Sequence, residues 1–320
     1  MGIPKLNKWL TENCSPSSIR TCSLLDFQDK TVAVDISIYL YRFLSEENYY
    51  ENLYLFFSLF RYYCIHPIFV FDGKAPVEKR ATMQKRKQEK QEAAVEYSQL
   101  EQLLQSTEDP QKKTEILQKM TTIKRRMTKI TWAHIDGAIE LLQAFGFEYY
   151  LAPQEADQIC IHLAVTDQVY AIVSDDMDML ISGAKHILRN LNIYKHKITL
   201  YDTTAILSDI KMTLNDFRET VVLAGTDYAM ENNPLPIKKC FELFYEYKNA
   251  NISMSFTEWL DSKKIVVLTD YQHICSLFDT RSISCELEDF IKKNSLPRPL
   301  KLNIPEIKRI MSNYNFVFPP

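Results

Sequence analysis

Glycine is scarce, with 6 in 320 residues. There is no glycine-rich phosphate loop and no G-x-S-x-G elbow, which removes P-loop nucleotide chemistry and that form of serine hydrolysis from consideration. The 7 cysteines, at 14, 22, 64, 160, 240, 275 and 285, include no C-x-x-C pair, and an odd number does not make a disulfide framework. They read as free thiols of a reducing compartment, without structural zinc. The 6 histidines show no H-E-x-x-H or other paired spacing. A clean membrane-spanning run is missing as well. The most apolar stretch, LYLFFSLFRYYCIHPIFVF from Leu53 to Phe71, is interrupted by Arg61, His66 and Pro67, whereas a spanning helix takes about 20 apolar residues. It predicts a buried aromatic helix followed by a strand. The start, MGIPKLNKWLTEN, lacks the apolar centre of a signal peptide, and Leu6 stands where a myristoylation motif carries Ser or Thr. No membrane address is expected there. Charge of one sign is lacking too: 38 basic against 41 acidic residues give −3, so a polyanionic partner can announce itself only through local charge.

What is present is a chain with 46% apolar residues, enough to bury a sizeable core as one large domain or two modest ones. Three apolar, β-branched runs stop at an acid: TVAVD at Asp35, PIFVFD at Asp72, and VYAIVSDDMD at Asp175, Asp176 and Asp178. Between them lie segments of helical period such as WAHIDGAIELLQAFG, with Gly146 in a C-cap position. Strands alternating with helices predict an α/β fold with a mostly parallel sheet covered on both faces. Ligands of such a sheet sit beyond the carboxyl ends of the strands. Carboxylates as dense as those of SDDMD repel one another, so either a loop solvates them or a cation neutralises them.

From Lys74 to Lys129 the composition turns polar, with 14 basic and 8 acidic residues, a net +6 that leaves −9 for the rest of the chain. Pro110 and STEDP divide this segment into two helices. On charge alone it is either a solvated helix pair or a surface for an anionic partner. After about Ile210 the strand signals fade into helical patterns, and Pro297, Pro299 and Pro305 mark an irregular stretch before a short final helix.

Two further segments carry acids. LAPQEADQICIHLAV places Glu155 and Asp157 just inside a helix that begins near Pro153, where acids complement the helix dipole and can equally face a pocket. VVLAGTDY adds Asp227 after a Gly-Thr turn. Each acid alone reads as a cap or a solvated loop residue, and their joint placement is what favours a shared role. Hard divalent cations such as Mg²⁺ take carboxylate and water oxygens, and two of them about 4 Å apart stabilise both the attacking and the leaving oxygen of a phosphodiester. Asp176-x-Asp178 lacks the other ligands and the glycine of an EF-hand loop.

The ordered set MGIPKL, VAVDISIYLYRFL, FVFDGKAPVEKRATMQKR, LAPQEADQICIHL, IVSDDMDMLISG and LAGTDY resembles the flap endonuclease family, structure-specific 5′ nucleases related to the xeroderma pigmentosum group G protein. The resemblance runs from Met1 to about Lys248. It implies an α/β, PIN-like, mostly parallel sheet flanked by helices, in a nuclease core over 1–215 that includes a helical arch at about 74–130. A helical DNA-binding region over 216–320, related to a helix–two-turn–helix, would follow. By similarity, Asp35, Asp72, Glu155, Asp157, Asp176, Asp178 and Asp227 match the metal-site acids, and Asp175 takes a non-ligand place. Lys79 and Arg86 match a basic pair facing the scissile phosphate, and would stabilise charge on the phosphoryl oxygens. Tyr41 matches a base-stacking tyrosine, and Gly2, N-terminal once Met1 is removed, matches a small residue beside the active site. The activity implied is hydrolysis with two Mg²⁺ ions, Mn²⁺ being able to substitute, at DNA flaps, nicks, gaps or free 5′ ends, in replication, repair or recombination.

The chain departs from the family pattern in two places. After GTDY the family uses a Gly-x-Gly turn to bind K⁺ and duplex phosphates, whereas this chain has AMENNPLPIKKCFELF. Pro234 and Pro236 donate no backbone N–H, which puts K⁺ binding in doubt and leaves Lys238 and Lys239 to hold phosphate by charge. No Q-x-x-L-x-x-F-F clamp-binding tail is evident, so no sliding-clamp partner is expected. A monomer working inside the cell, in the nucleus or at a cytoplasmic replication site, is expected, and a compact core of this kind suits a viral member. Two other readings stand beside this one. MGIPKLNKWL and DGKAPVEKR are also similar to 5′–3′ exoribonucleases, although PQEADQ and SDDMDML sit closer to the flap nucleases. A catalytically silent junction-binding module is the other, disfavoured because every ligand position is acidic.

Overall fold

The computed structural model describes residues 2–76, 79–228, 234–265, 270–279, 285–294 and 301–318. The strands are β1 (Ile19–Ser23), β2 (Thr31–Asp35), β3 (His66–Phe71), β4 (Glu148–Leu151), β5 (Ala171–Val173), β6 (His186–Asn192) and β7 (Lys197–Asp202). The helices begin with α1 (Leu6–Asn13), α2 (Ser37–Ser45), α3 (Tyr49–Tyr62), α4 (Arg80–Ser106), α5 (Pro110–Met127), α6 (Trp132–Ala144), α7 (Ala156–Val165) and α8 (Asp178–Ile181). They continue with α9 (Thr203–Asp209), α10 (Leu214–Val222), α11 (Ile237–Ala250), α12 (Phe256–Ser262), α13 (Tyr271–Leu277), α14 (Cys285–Asn294) and α15 (Ile304–Ser312). No described helix is long and apolar enough to cross a membrane. Cys14, Cys22, Cys64, Cys160, Cys240 and Cys275 are free thiols.

The chain forms two compact units, each discontinuous in sequence. One comprises Met1–Asp35, Phe60–Ala75 and Tyr149–Leu296; the other comprises Ile36–Leu59, Pro76–Glu148 and Pro297–Pro320. These packing units are a different partition from the expected functional division at residue 215.

The first unit is built on a sheet of order β1-β7-β6-β5-β2-β3-β4. β6, β5, β2 and β3 run parallel, and β7 is antiparallel to both β6 and β1. This is the mostly parallel α/β architecture expected from the alternation of strands and helices. Val32, Ala33 and Val34 are all fully buried. Successive strand residues point to opposite faces, so the run is apolar throughout rather than alternating because both faces are covered. α7 lies against β2, β3 and β5, with Ile159, Cys160 and Leu163 buried. α1 packs on α11, where the Trp9 and Phe241 rings stack with centroids 3.4 Å apart. β3 lies on one side of β2 and β5 on the other, so the carboxyl edge between β2 and β5 is a topological switch point.

In the second unit α4 and α5 form an antiparallel hairpin with Ala93, Ile116, Met120 and Ile123 buried. They separate where expected. The Asp109 carboxylate accepts the Gln111 N–H at 2.9 Å and Pro110 opens the next helix, while Lys124, Arg125 and Arg126 complement the dipole in its last turn. The Gly146 and Phe147 N–H groups close α6 on the Gln143 and Leu142 carbonyls, the bonding of a Schellman motif. α15 packs on α6, with Arg309 donating to Glu140 at 2.5 Å and to Glu306. Beyond it the Tyr314 ring stacks on Tyr50, and Phe316 and Phe318 meet Tyr54.

Candidate metal centre

The parallel order β5-β2-β3 brings the ends of three acid-terminated runs to one sheet edge. Asp35, the last residue of β2, is 7% exposed, and its Oδ2 accepts the Ser174 hydroxyl at 3.0 Å. The Ser174 oxygen in turn accepts the Asp176 N–H at 3.1 Å, and Asp176 Oδ1 accepts the Asp178 N–H at 3.0 Å. The D-x-D spacing thus has a local reason. Asp176 makes an Asx-type bond two residues on, opening the one-turn helix α8 whose first residue, Asp178, is 4% exposed.

Asp72 follows β3, and its Oδ1 accepts the Ala156 N–H at 2.8 Å, so this acid caps α7. The approach depends on Gly73: its N–H meets Gln154 O at 2.5 Å, and a Cβ there would lie 2.0 Å from Ala152 O. Glu155 is the N-cap residue of α7 rather than a residue inside it, and Asp157 lies in the first turn. Asp157 Oδ1 accepts the Gln158 N–H at 2.7 Å. The turn after α10 carries Asp227, half-buried, beside Tyr228, whose hydroxyl donates to Glu155 Oε2 at 3.0 Å.

The chain start reaches the same edge. Gly2 has φ +75°, and a Cβ on it would fall 2.4 Å from Asp176 Oδ1 and 2.5 Å from Asp178 Oδ1. No side chain fits between the backbone and these carboxylates.

Burial first, and then the neighbouring Asp72 carboxylate, push the Asp35 carboxyl well above the ordinary carboxylate range; Asp176 and Asp157 add to the rise and the Ser174 hydrogen bond opposes it. Tyr228 is raised by burial and then by Asp157, Glu155 and Asp178, and so remains a protonated donor. Burial leads in both shifts, and the nearby carboxylates add to it as negative charge that a cation would offset. Among the described residues no three Asp, Glu, His or Cys side chains form a ready-made ligand cluster. The donor set is all carboxylate, fitting a hard divalent ion rather than zinc.

Models of the XPG N-terminal domain and the XPG I-region match residues 1–93 and 146–227, together more than half of the chain. A flap endonuclease 1 of Yarrowia lipolytica is 30% identical over 313 residues, covering 90% of this chain and 80% of that relative. The chain belongs to the flap endonuclease and XPG family. Membership makes it a structure-specific 5′ nuclease, a phosphodiester hydrolase that depends on divalent metal. Solved structures share the fold of this family member. The catalytic core of Rad2 in complex with DNA substrate aligns with a TM-score of 0.64 at 21% identity, covering 98% of this chain and 94% of that one. Flap endonuclease-1 from Methanococcus jannaschii aligns with a TM-score of 0.56 at 22% identity, covering 92% and 97%.

The remaining expected site residues of this nuclease fall on other elements. Tyr41, on α2, is 45% exposed, and the Lys90 ammonium lies 5.2 Å from its ring centroid. Lys79 immediately precedes α4 and Arg86 lies within it. Burial first, and then the neighbouring Arg86 and Lys129 charges, hold the Lys90 ammonium below its ordinary range. Lys238 and Lys239 sit exposed in the first turn of α11, after Pro236, with Lys239 Nζ 3.8 Å from Glu242 Oε2. Of the segment AMENNPLP that bears on the K⁺ expectation, residues 229–233 lie outside the described residues, while Pro234 and Pro236 precede α11. Two residues at the sheet edge were not singled out by sequence: Ser174, which links Asp35 to Asp176, and Tyr228. Their signal was adjacency to acid motifs, in SDDMD and GTDY.

Proposed function

We propose that this nuclease cuts DNA at 5′ flaps, nicks, gaps or free 5′ ends, with two Mg²⁺ ions held by Asp35, Asp72, Glu155, Asp157, Asp176, Asp178 and Asp227. The observation that carries the reading is the convergence of Asp35, Asp176, Asp178 and Gly2 on one sheet edge, with Asp72 reaching the N-terminus of α7 beside Glu155 and Asp157. Bound divalent ions supply an activated water and charge stabilisation at the phosphodiester. The chain's own part is to hold the carboxylates together, with the Gly2 backbone close against Asp176 and Asp178. Lys79 and Arg86 stabilise the negative charge that grows on the phosphoryl oxygens. The downstream product keeps a 5′-phosphate. Tyr41 offers its ring to a base, an interaction worth about 1–3 kcal/mol. The hairpin α4–α5 serves as an arch within a core ending at 215, and residues 216–320, with Lys238 and Lys239, hold the duplex.

The test compares 5′-labelled DNA flap, DNA nick and RNA flap with Mg²⁺, each beside an EDTA control and the Asp176→Ala protein. Metal-dependent DNA cutting near the junction, lost in Asp176→Ala with substrate binding kept, is the expected result. Cutting retained by Asp176→Ala overturns the site assignment. Cutting of RNA alone overturns DNA as substrate.

A further inference from the structure

Glu155 is an unusual N-cap residue. Ser, Thr, Asp and Asn are preferred at that place because a short side chain folds back onto the first free N–H groups. The Glu155 side chain makes no such bond, and the Ala156 N–H is taken by Asp72. Glu155 is held instead from 73 residues away: the Tyr228 hydroxyl donates to its Oε2 at 3.0 Å. In this bond the phenol O–H donates and the carboxylate oxygen accepts. The donor itself is supported. The Tyr228 ring packs edge-on against Phe278, centroids 5.4 Å apart at 82°, and the Tyr228 N–H bonds to Thr226 Oγ1 at 3.3 Å across the turn that carries Asp227.

We propose that Tyr228 is the positioning residue for Glu155. It engages Oε2 and restrains rotation of the carboxylate at the sheet edge where metal would bind, while tying the Asp227 turn to the start of α7. This rests on the reading of Glu155 as a metal ligand. A partner that orients a ligand lowers the entropy lost when metal binds, and removing one costs metal affinity about tenfold or more.

The decisive variant is Tyr228→Phe, which keeps the ring against Phe278 and removes only the donor. Two readouts are taken beside wild type and Glu155→Gln: the Mg²⁺ concentration that half-saturates cleavage, and Ca²⁺ affinity by calorimetry without substrate. Tyr228→Phe is expected to raise the half-saturating Mg²⁺ about tenfold and to weaken Ca²⁺ binding in parallel. The metal-free melting temperature stays unchanged, and the cleavage rate recovers towards wild type at high Mg²⁺. Unchanged Mg²⁺ and Ca²⁺ dependence in Tyr228→Phe, with Glu155→Gln impaired, overturns the positioning role and leaves Glu155 as a ligand. Wild-type metal binding and cleavage by Glu155→Gln overturns the ligand reading itself, and the proposal with it. A lowered metal-free melting temperature with unchanged metal affinity assigns Tyr228 to packing and also overturns the proposal.

Discussion

Gly73→Ala puts one methyl group where the backbone of a neighbouring segment already lies. The new Cβ would stand 2.0 Å from Ala152 O and 2.8 Å from both the carbonyl carbon and oxygen of Pro153. Non-bonded carbon contacts settle at about 3.5–4.0 Å, so a displacement on the order of 1 Å is forced. All three atoms are backbone, and no rotamer change relieves the clash. Overpacking of this kind costs about 1–3 kcal/mol. The displacement also draws Asp72 from the Ala156 N–H, now at 2.8 Å, and loss of a helix cap costs about 1 kcal/mol more. The expected loss is therefore about 2–4 kcal/mol, a large share of the roughly 5–15 kcal/mol that holds a typical protein folded. The same movement displaces Asp72 from the other carboxylates, and a 1 Å misplacement at a reacting centre can cost about 10²-fold in rate. Urea unfolding and single-turnover cleavage at saturating Mg²⁺ measure the two effects separately. A wild-type unfolding midpoint would refute the steric argument. A lowered midpoint with undiminished cleavage would refute the need for Asp72 at its present place.

Lys79→Ala and Arg86→Ala should each slow single-turnover cleavage about 10²–10³-fold while changing substrate affinity much less; a pure affinity loss would contradict their assignment to charge developing on the phosphate. If the α4–α5 hairpin, with its +6 surrounding segment, holds phosphates, DNA binding should weaken steeply between about 50 and 200 mM salt, and a flat response would remove it from the interface. His162, buried on α7, is held below its ordinary value of 6.5 chiefly by burial, with Glu288 raising and Lys292 lowering it. Its folded value lies below its unfolded one, so the unfolded chain takes up this proton first. The stability it supports is full above about pH 6.5 and falls as pH drops from there through the folded value. His162→Asn should reduce the loss in melting temperature between pH 7 and 5, and an unchanged pH slope would refute the sign.

The elements that sequence made legible are those whose cause is local. An apolar run closed by an acid is a buried parallel strand whose carboxyl end reaches the acidic edge of the sheet, and β2, β3 and β5 all obey it. Asp109-Pro110 stops one helix and starts the next within two residues, because a carboxylate cap and a missing N–H both act there. Gly146 marks the end of α6 because its positive φ of 69° turns the chain out of the helix. The contacts that are not legible locally depend on partners far away in sequence. Arg309 reaches Glu140 across 169 residues, so a short helix between prolines gave no sign that it would lie on α6. The start of α7 shows the difference most clearly. Sequence placed Glu155 and Asp157 at a helix N-terminus, where any acid gains from the dipole, and could not apportion their tasks. Asp72 caps the helix from 84 residues away, and Tyr228 donates to the Glu155 carboxylate from 73 residues away. Both contacts come from distant parts of the chain, so only the tertiary fold decides which of several neighbouring acids caps the helix and which receives a phenol instead.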